Sequence, residues 1–261
     1  KKKTSRYRTK EILKGGLPSE IIFGFERHVP QHVDRKRPFC ERADVILVEK
    51  PPQIIKKLKI MPPREIVKPQ IIKTRGISYP WITRFQEYQK KYFSMLKEAI
   101  WHGKTVIGTD FRATKKIHEL EGRIIAARRS GDLLKEAEAR ARFDEAREKK
   151  ALDWTLKHLS DFEGKIIYVD TGVSHTFPYH YFKRMLAKKG LADKVKMTRE
   201  HLTRPDFGGQ IEKHPPFEQM IRIFQFKKKL TKKDRKRLAE LVEQHKAFKA
   251  EQTRLSKEYG A

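Results

Sequence analysis

One cysteine, Cys40, stands in 261 residues. That excludes an internal disulfide and leaves no thiolate partner for a zinc cluster; a single thiol suits a reducing compartment. No run of about 18 apolar residues occurs, so no segment reads as a membrane span. An apolar signal-peptide core is missing near the start. No period of about 20–50 residues repeats, which sets repeat architectures aside. Acidic residues are scarce as well: 33 Asp and Glu face 61 Lys and Arg, a formal net charge of +28. Self-repulsion on that scale opposes compaction and gives nothing to the fold, so a polyanionic partner is expected. Apolar material is not lacking. Hydrophobic residues make up 38% and aromatics 10%, enough for a core and too much for wholesale disorder.

The excess charge is uneven. Residues 1–75 carry 20 basic and 8 acidic side chains, residues 76–163 carry 18 and 14, residues 164–226 carry 11 and 6, and residues 227–261 carry 12 and 5. This divides the chain into an extended basic arm with short strands (1–75), a mixed helical body (76–226) and a basic C-terminal helix (227–261). Prolines 18, 30, 38, 51, 52, 62, 63 and 69 punctuate the arm, each removing a backbone donor. Two β-rich runs, 20–25 and 43–48, interrupt it. Between the proline pairs, 53–60 mixes isoleucines that would bury on a neighbour with lysines that would face phosphate. The chain starts at Lys1 rather than Met, which a cleaved organellar transit peptide or a trimmed start would explain.

The expected fold class is α+β and predominantly helical, with long helices and a few short strands. Ser78 as N-cap and Pro80 in the first turn open a helix over 79–102, whose apolar positions Trp81, Phe85, Tyr88, Tyr92 and Leu96 keep helical spacing until Gly103. A short strand at 105–107 and a helix over 114–130 follow. Asp132 opens a long helix to 162, whose alanine-rich first half is expected to be solvated or to lie against a partner. The helices 79–102 and 132–162 are expected to pair as an antiparallel hairpin. Residues 165–170 read as a buried strand, 176–190 as a helix and 220–226 as a strand. Thr231 and Asp234 form a capping box ahead of the last helix, where Leu238, Leu241, His245, Phe248 and Leu255 run near heptad spacing.

Chemistry is hard to find. Gly103-Lys104-Thr105 imitates the tail of a phosphate loop, but position 98 is Glu98 instead of glycine and a helix precedes it instead of a strand. Asp170, Ser174, His175 and His180 gather after the buried strand, where α/β enzymes carry catalytic groups. Asp170-Thr171-Gly172 is the triplet of aspartic proteases, which need a second copy that this chain does not have. His28 and His32 have the spacing of a helical metal pair, with Pro30 between them. No catalytic set, metal site or cofactor is therefore assigned.

The basic clusters carry more weight because several lie beside aromatics. Lys1, Lys2, Lys3, Arg6, Arg8 and Lys10 surround Tyr7; Arg35, Lys36 and Arg37 precede Phe39; Lys56, Lys57 and Lys59 lie between the prolines. Lys227, Lys228, Lys229, Lys232, Lys233, Arg235, Lys236 and Arg237 follow Phe226 and crowd the start of the last helix. All are expected to contact RNA phosphate, with a strong salt dependence. The stretches KKKTSRYRTK, PPQIIKKLKIMPPREIVKP and FKKKLTKKDRKR give the whole chain a style that resembles lineage-specific mitochondrial ribosomal proteins. The resemblance implies a structural role in the mitochondrial matrix, with rRNA and neighbouring ribosomal proteins as partners and no small-molecule substrate. Two other readings stand beside it: a nucleic-acid-processing enzyme using Asp170, His175 and His180, and an organellar DNA-compacting protein.

Overall fold

A computed structural model describes residues 16–26, 30–62, 79–110, 115–172, 177–201, 216–227 and 229–258. The chain divides into two units, one from residues 1–71, 84–111 and 148–203 and one from 72–83, 112–147 and 204–261.

The first unit is built on a parallel sheet. Its strands are β1 (Glu20–Glu26), β2 (Val45–Val48), β3 (Thr105–Gly108), β4 (Ile166–Gly172) and β5 (Lys196–His201), in the order β3-β2-β4-β1-β5. All four pairings are parallel, with Gly24 and Val48 flanking Asp170 on β4. Parallel strands are buried on both faces, which is why β2 is an unbroken Val-Ile-Leu-Val run rather than an alternation.

Helix α1 (Pro30–Arg42) joins β1 to β2, and α2 (Pro52–Ile60) and α3 (Tyr79–Trp101) lie between β2 and β3. The chain moves one way across the sheet from β1 to β3, then the other way from β3 to β5. With right-handed crossovers, that reversal puts the later helices on the opposite face. On the first face Ile22, Ile46 and Tyr168 pack against Val33 and Cys40 of α1, Leu58 of α2, and Tyr88, Tyr92 and Leu96 of α3. On the other, Phe23, Leu47 and Ile167 meet Phe182 and Leu186 of α6 (Phe177–Lys188), and Leu152 and Leu156 near the end of α5 (Leu133–Lys157). A side chain at Gly24 would run into the Tyr168 hydroxyl, so the close approach of these strands requires glycine.

The second unit is helical. Ile117, Leu120 and Ile124 of α4 (Lys115–Arg129) pack on Phe143 of α5. Met220, Ile221 and Phe224 of α7 (Pro216–Phe226) pack on Ala137 and Ala141 of α5 and on Leu238 and Leu241 of α8 (Lys232–Glu258).

Helix-rich α+β architecture with short strands is what the sequence leads one to expect, and several limits hold closely. α3 starts at Tyr79, beside Pro80, and ends at Trp101, just before Gly103, whose φ is 77°. The Asp132 carboxylate accepts a hydrogen bond from the Lys135 amide at 3.0 Å and opens α5.

Four expectations change. Residues 20–60 are no extended arm: β1 and β2 are interior strands and α1 and α2 are helices. Pro30 and Pro52 occupy first turns, where proline is tolerated, and the strands' partners lie far downstream in β4. α3 and the end of α5 do not form a hairpin, because the sheet lies between them. The alanine-rich half of α5 is not solvated: Ala137 and Ala141 are fully buried, their small side chains letting α7 approach. Residues 220–226 belong to a helix, since Phe217, Met220, Ile221 and Phe224 keep i, i+3, i+4, i+7 spacing.

Candidate functional site

Asp170 lies near the carboxyl end of β4, between β1 and β2. In open parallel sheets this end is where ligands bind. Here the chain's own side chains fill it. Lys36, on the inward face of α1, is 0% exposed, and its Nζ donates to both Asp170 oxygens, at 3.0 and 3.2 Å. The Tyr92 hydroxyl of α3 donates to Oδ2 at 2.5 Å. The Lys36 ammonium lies 4.4 Å from the Tyr92 ring centroid and 5.8 Å from that of Tyr88. Lys50, just after β2, adds its cation 5.4 Å from the Tyr92 ring. A buried cation of this kind is tolerated only when its charge is matched and its protons are bonded.

The expectation that Lys36 meets RNA phosphate is thus corrected. Its neighbours are only partly buried, and Arg37 is drawn to Glu98 of α3 at 2.6 Å, which pushes the guanidinium further up from its ordinary value. Both residues line a cleft of about 250 Å³ together with Cys40, Met95 and Ala99. Arg35 is half-buried.

The carboxylate and histidine that lie together in sequence are not together in space. Asp170 faces α1 and α3, whereas His180 is exposed on α6, which packs on the other face of the sheet. His175 and Ser174 lie outside the described residues, as does His28. His32 is buried on α1, and Pro30 begins that helix instead of interrupting it. Among the described residues no group of three His, Cys, Asp or Glu is placed to hold a metal ion. No described helix is long and apolar enough to cross a membrane.

The described lysines of α2 and the described cations at the start of α8 are exposed. On α2, Ile55 and Leu58 turn inward while Lys56, Lys57 and Lys59 are exposed; Ile60 is 83% exposed. On α8, Leu238 and Leu241 define the buried side, so Lys232, Lys233, Arg235, Lys236 and Arg237 emerge around the solvent side with Lys229 just before them. The capping box forms as expected. The Asp234 amide donates to Thr231 Oγ1 at 3.2 Å and the Thr231 amide returns a bond to Asp234 Oδ2 at 2.9 Å. Lys227 also joins the cap, with its Nζ 2.8 Å from Asp234 Oδ1, and this bond, with those from Thr231, pulls the carboxyl down to about 2. Lys227 therefore serves the helix start and is already engaged by a carboxylate. Arg237 bonds Gln219 and Glu240, at 3.1 and 3.2 Å. Lys1, Lys2, Lys3, Arg6, Arg8, Lys10 and Lys228 lie outside the described residues.

Compared with known protein families, curated proteins and solved structures, the chain matches none. Its residues must carry the functional reading alone. Tyr92 and Lys50 were not singled out by sequence reasoning as polar-site residues. Tyr92 reads as one more apolar position of an amphipathic helix, and nothing local marks its hydroxyl as a partner for Asp170.

Proposed function

We propose that the protein is a structural constituent of a mitochondrial ribosome, binding rRNA and neighbouring ribosomal proteins and carrying no chemistry of its own. The observation that carries this reading is the solvated basic start of α8. Lys229, Lys232, Lys233, Arg235 and Lys236 are held in the open by a capped helix whose opposite side is buried. Cations at a helix N-terminus oppose its dipole, so their concentration there is unfavourable for the free protein. RNA phosphate relieves that repulsion and releases counterions.

The inward-turned Asp170 supports a scaffold rather than a hydrolase, since Lys36 and Tyr92 already occupy its oxygens. Ribosomal particles purified from mitochondria test the proposal. The protein should be present stoichiometrically in one subunit and survive a high-salt wash; its absence from both subunits by mass spectrometry ends the reading. Equal affinity for duplex DNA and rRNA in competition at one salt concentration would favour a DNA-compacting role instead.

A further inference from the structure

We infer a second RNA surface on the first unit, where the solvent side of α6 and edge strand β5 hold a single-stranded stretch against Tyr179, His180, Lys183, Arg184 and Arg199. It rests on the reading of RNA as partner, but uses a different unit and none of the clusters that stand out in sequence.

The surface follows from helix geometry. Tyr181, Phe182 and Leu186 turn α6 toward the sheet. The i,i+4 pairs Tyr179–Lys183 and His180–Arg184 then lie side by side on its outer flank. His180, Lys183 and Arg184 are exposed, and Arg199 is exposed on β5 at the end of the strand order. Lys183, Arg184 and Arg199 are spread over 17 positions of sequence, so no run announces them; the fold collects them.

Two features make the patch more than a solvated face. First, Lys183 and Arg199 converge on one residue, His180. Burial first, and then the cations of Arg199 and Lys183, hold the His180 imidazole below its ordinary value. Second, aromatic rings are interleaved with the cations. The Arg199 guanidinium lies 5.8 Å from the centroid of the half-buried Tyr179 ring, the ring open to a base, and Arg184 lies 5.8 Å from that of Tyr181, which is itself buried. Tyr179 is braced edge-on by Phe23 at 5.6 Å and by His180 at 5.4 Å, so it is a rigid platform rather than a loose side chain.

Two carboxylates of this unit already have partners. Asp153 accepts the Tyr181 hydroxyl at 2.8 Å, and Glu20 is bonded to Thr198 at 2.7 Å and to Lys196 at 3.1 Å. Cations for phosphates, with rings and guanidinium planes for unstacked bases, are what single strands require. A duplex keeps its bases stacked on one another and offers the rings nothing.

The test uses the full chain, a short mixed-sequence RNA strand carrying 4-thiouridine, and the blunt duplex of the same strand. Photo-crosslinks should map to Tyr179 or His180. Lys183→Glu with Arg199→Glu should lower single-strand affinity about tenfold, and the salt slope by about 1.4, or about 0.7 for each lost phosphate contact. The thermal midpoint should stay in place. The alanine pair Lys183→Ala with Arg199→Ala should shift affinity the same way, which guards against an effect of misfolding. Charge reversal on α8 should weaken overall binding yet leave this crosslink. Crosslinks confined to α8, with unchanged affinity of the Lys183/Arg199 variants, overturn the inference and leave the proposed function standing. Equal losses for strand and duplex overturn the single-strand assignment, and a wild-type chain that binds neither RNA overturns both.

Discussion

Arg35-Lys36-Arg37 and the run from Lys232 to Arg237 look alike as strings of cations, yet the fold uses them in opposite ways. The first lies on a helix packed against a parallel sheet, so one of its three cations is fully buried on a carboxylate. The second begins a helix with one buried side, so its cations are exposed, with Arg237 paired to the exposed Glu240. What separates them is what stands opposite. Lys36 meets Asp170 at the end of a central strand; Lys232 and Lys233 are exposed at the start of their own helix, against its dipole. A basic cluster therefore says little about nucleic acid until the buried side of its element is known.

Removing the buried cation should break this contrast most sharply. Lys36→Ala leaves Asp170 buried without its charge partner and should cost about 3–5 kcal/mol in chemical denaturation. Replacing the pair together, Lys36→Met with Asp170→Leu, should recover much of that loss, because paired apolar residues remove the desolvation of both charges. A single variant as stable as wild type would put Lys36 in the same class as Lys232.

Gly24→Ala comes next. Its Cβ collides with the Tyr168 hydroxyl on the neighbouring strand, and overpacking of this kind costs about 1–3 kcal/mol. An unchanged denaturation midpoint would mean that β1 and β4 have room to part beside Asp170.

On the other side of the comparison, Thr231→Ala removes the N-cap of α8 and should cost about 1 kcal/mol. The acid partner of that cap gives a pH signature. The Asp234 carboxyl is pulled to about 2, below its ordinary 3.8, by Lys227 and Thr231. Folding thus favours the charged form. Its contribution is fully present above the ordinary value and is lost as pH falls through about 2. Following the Asp234 carboxyl carbon by NMR should give a midpoint near the lower value, and an ordinary midpoint would remove the Lys227 bond from the account.

The same contrast shows what could be read in the sequence. The start of α8 was legible because Thr231, Asp234, Leu238 and Leu241 are local: two residues set the cap, and the next turns set the buried side. The exposed lysines of α2 follow from Ile55 and Leu58 in the same way. The limits of α3 follow from Pro80 and Gly103. The sheet was not legible as a sheet, since β1 and β2 are short runs whose partner, β4, lies more than a hundred residues away. Without that partner the prolines of residues 18–69 read as an arm. Lys36 was misplaced for the same reason, because its carboxylate is 134 positions downstream. Apolar periodicity located Tyr92 but is silent about a hydroxyl. The α7 helix was readable from Phe217, Met220, Ile221 and Phe224, but a window begun at Met220 omits the residue that completes the helical period.

The central claim is that solvated cations on α8 bind RNA, while the buried cation on α1 serves the fold. It is tested most directly by the salt dependence of rRNA binding, comparing wild type with Lys232→Glu, Lys233→Glu, Arg235→Glu and Lys236→Glu combined. The account predicts that log affinity falls steeply and linearly with log salt for wild type. The variant's slope should be smaller by about 3, at about 0.7–0.9 for each phosphate contact removed, with its thermal midpoint unchanged. Equal slopes for the two proteins would contradict it.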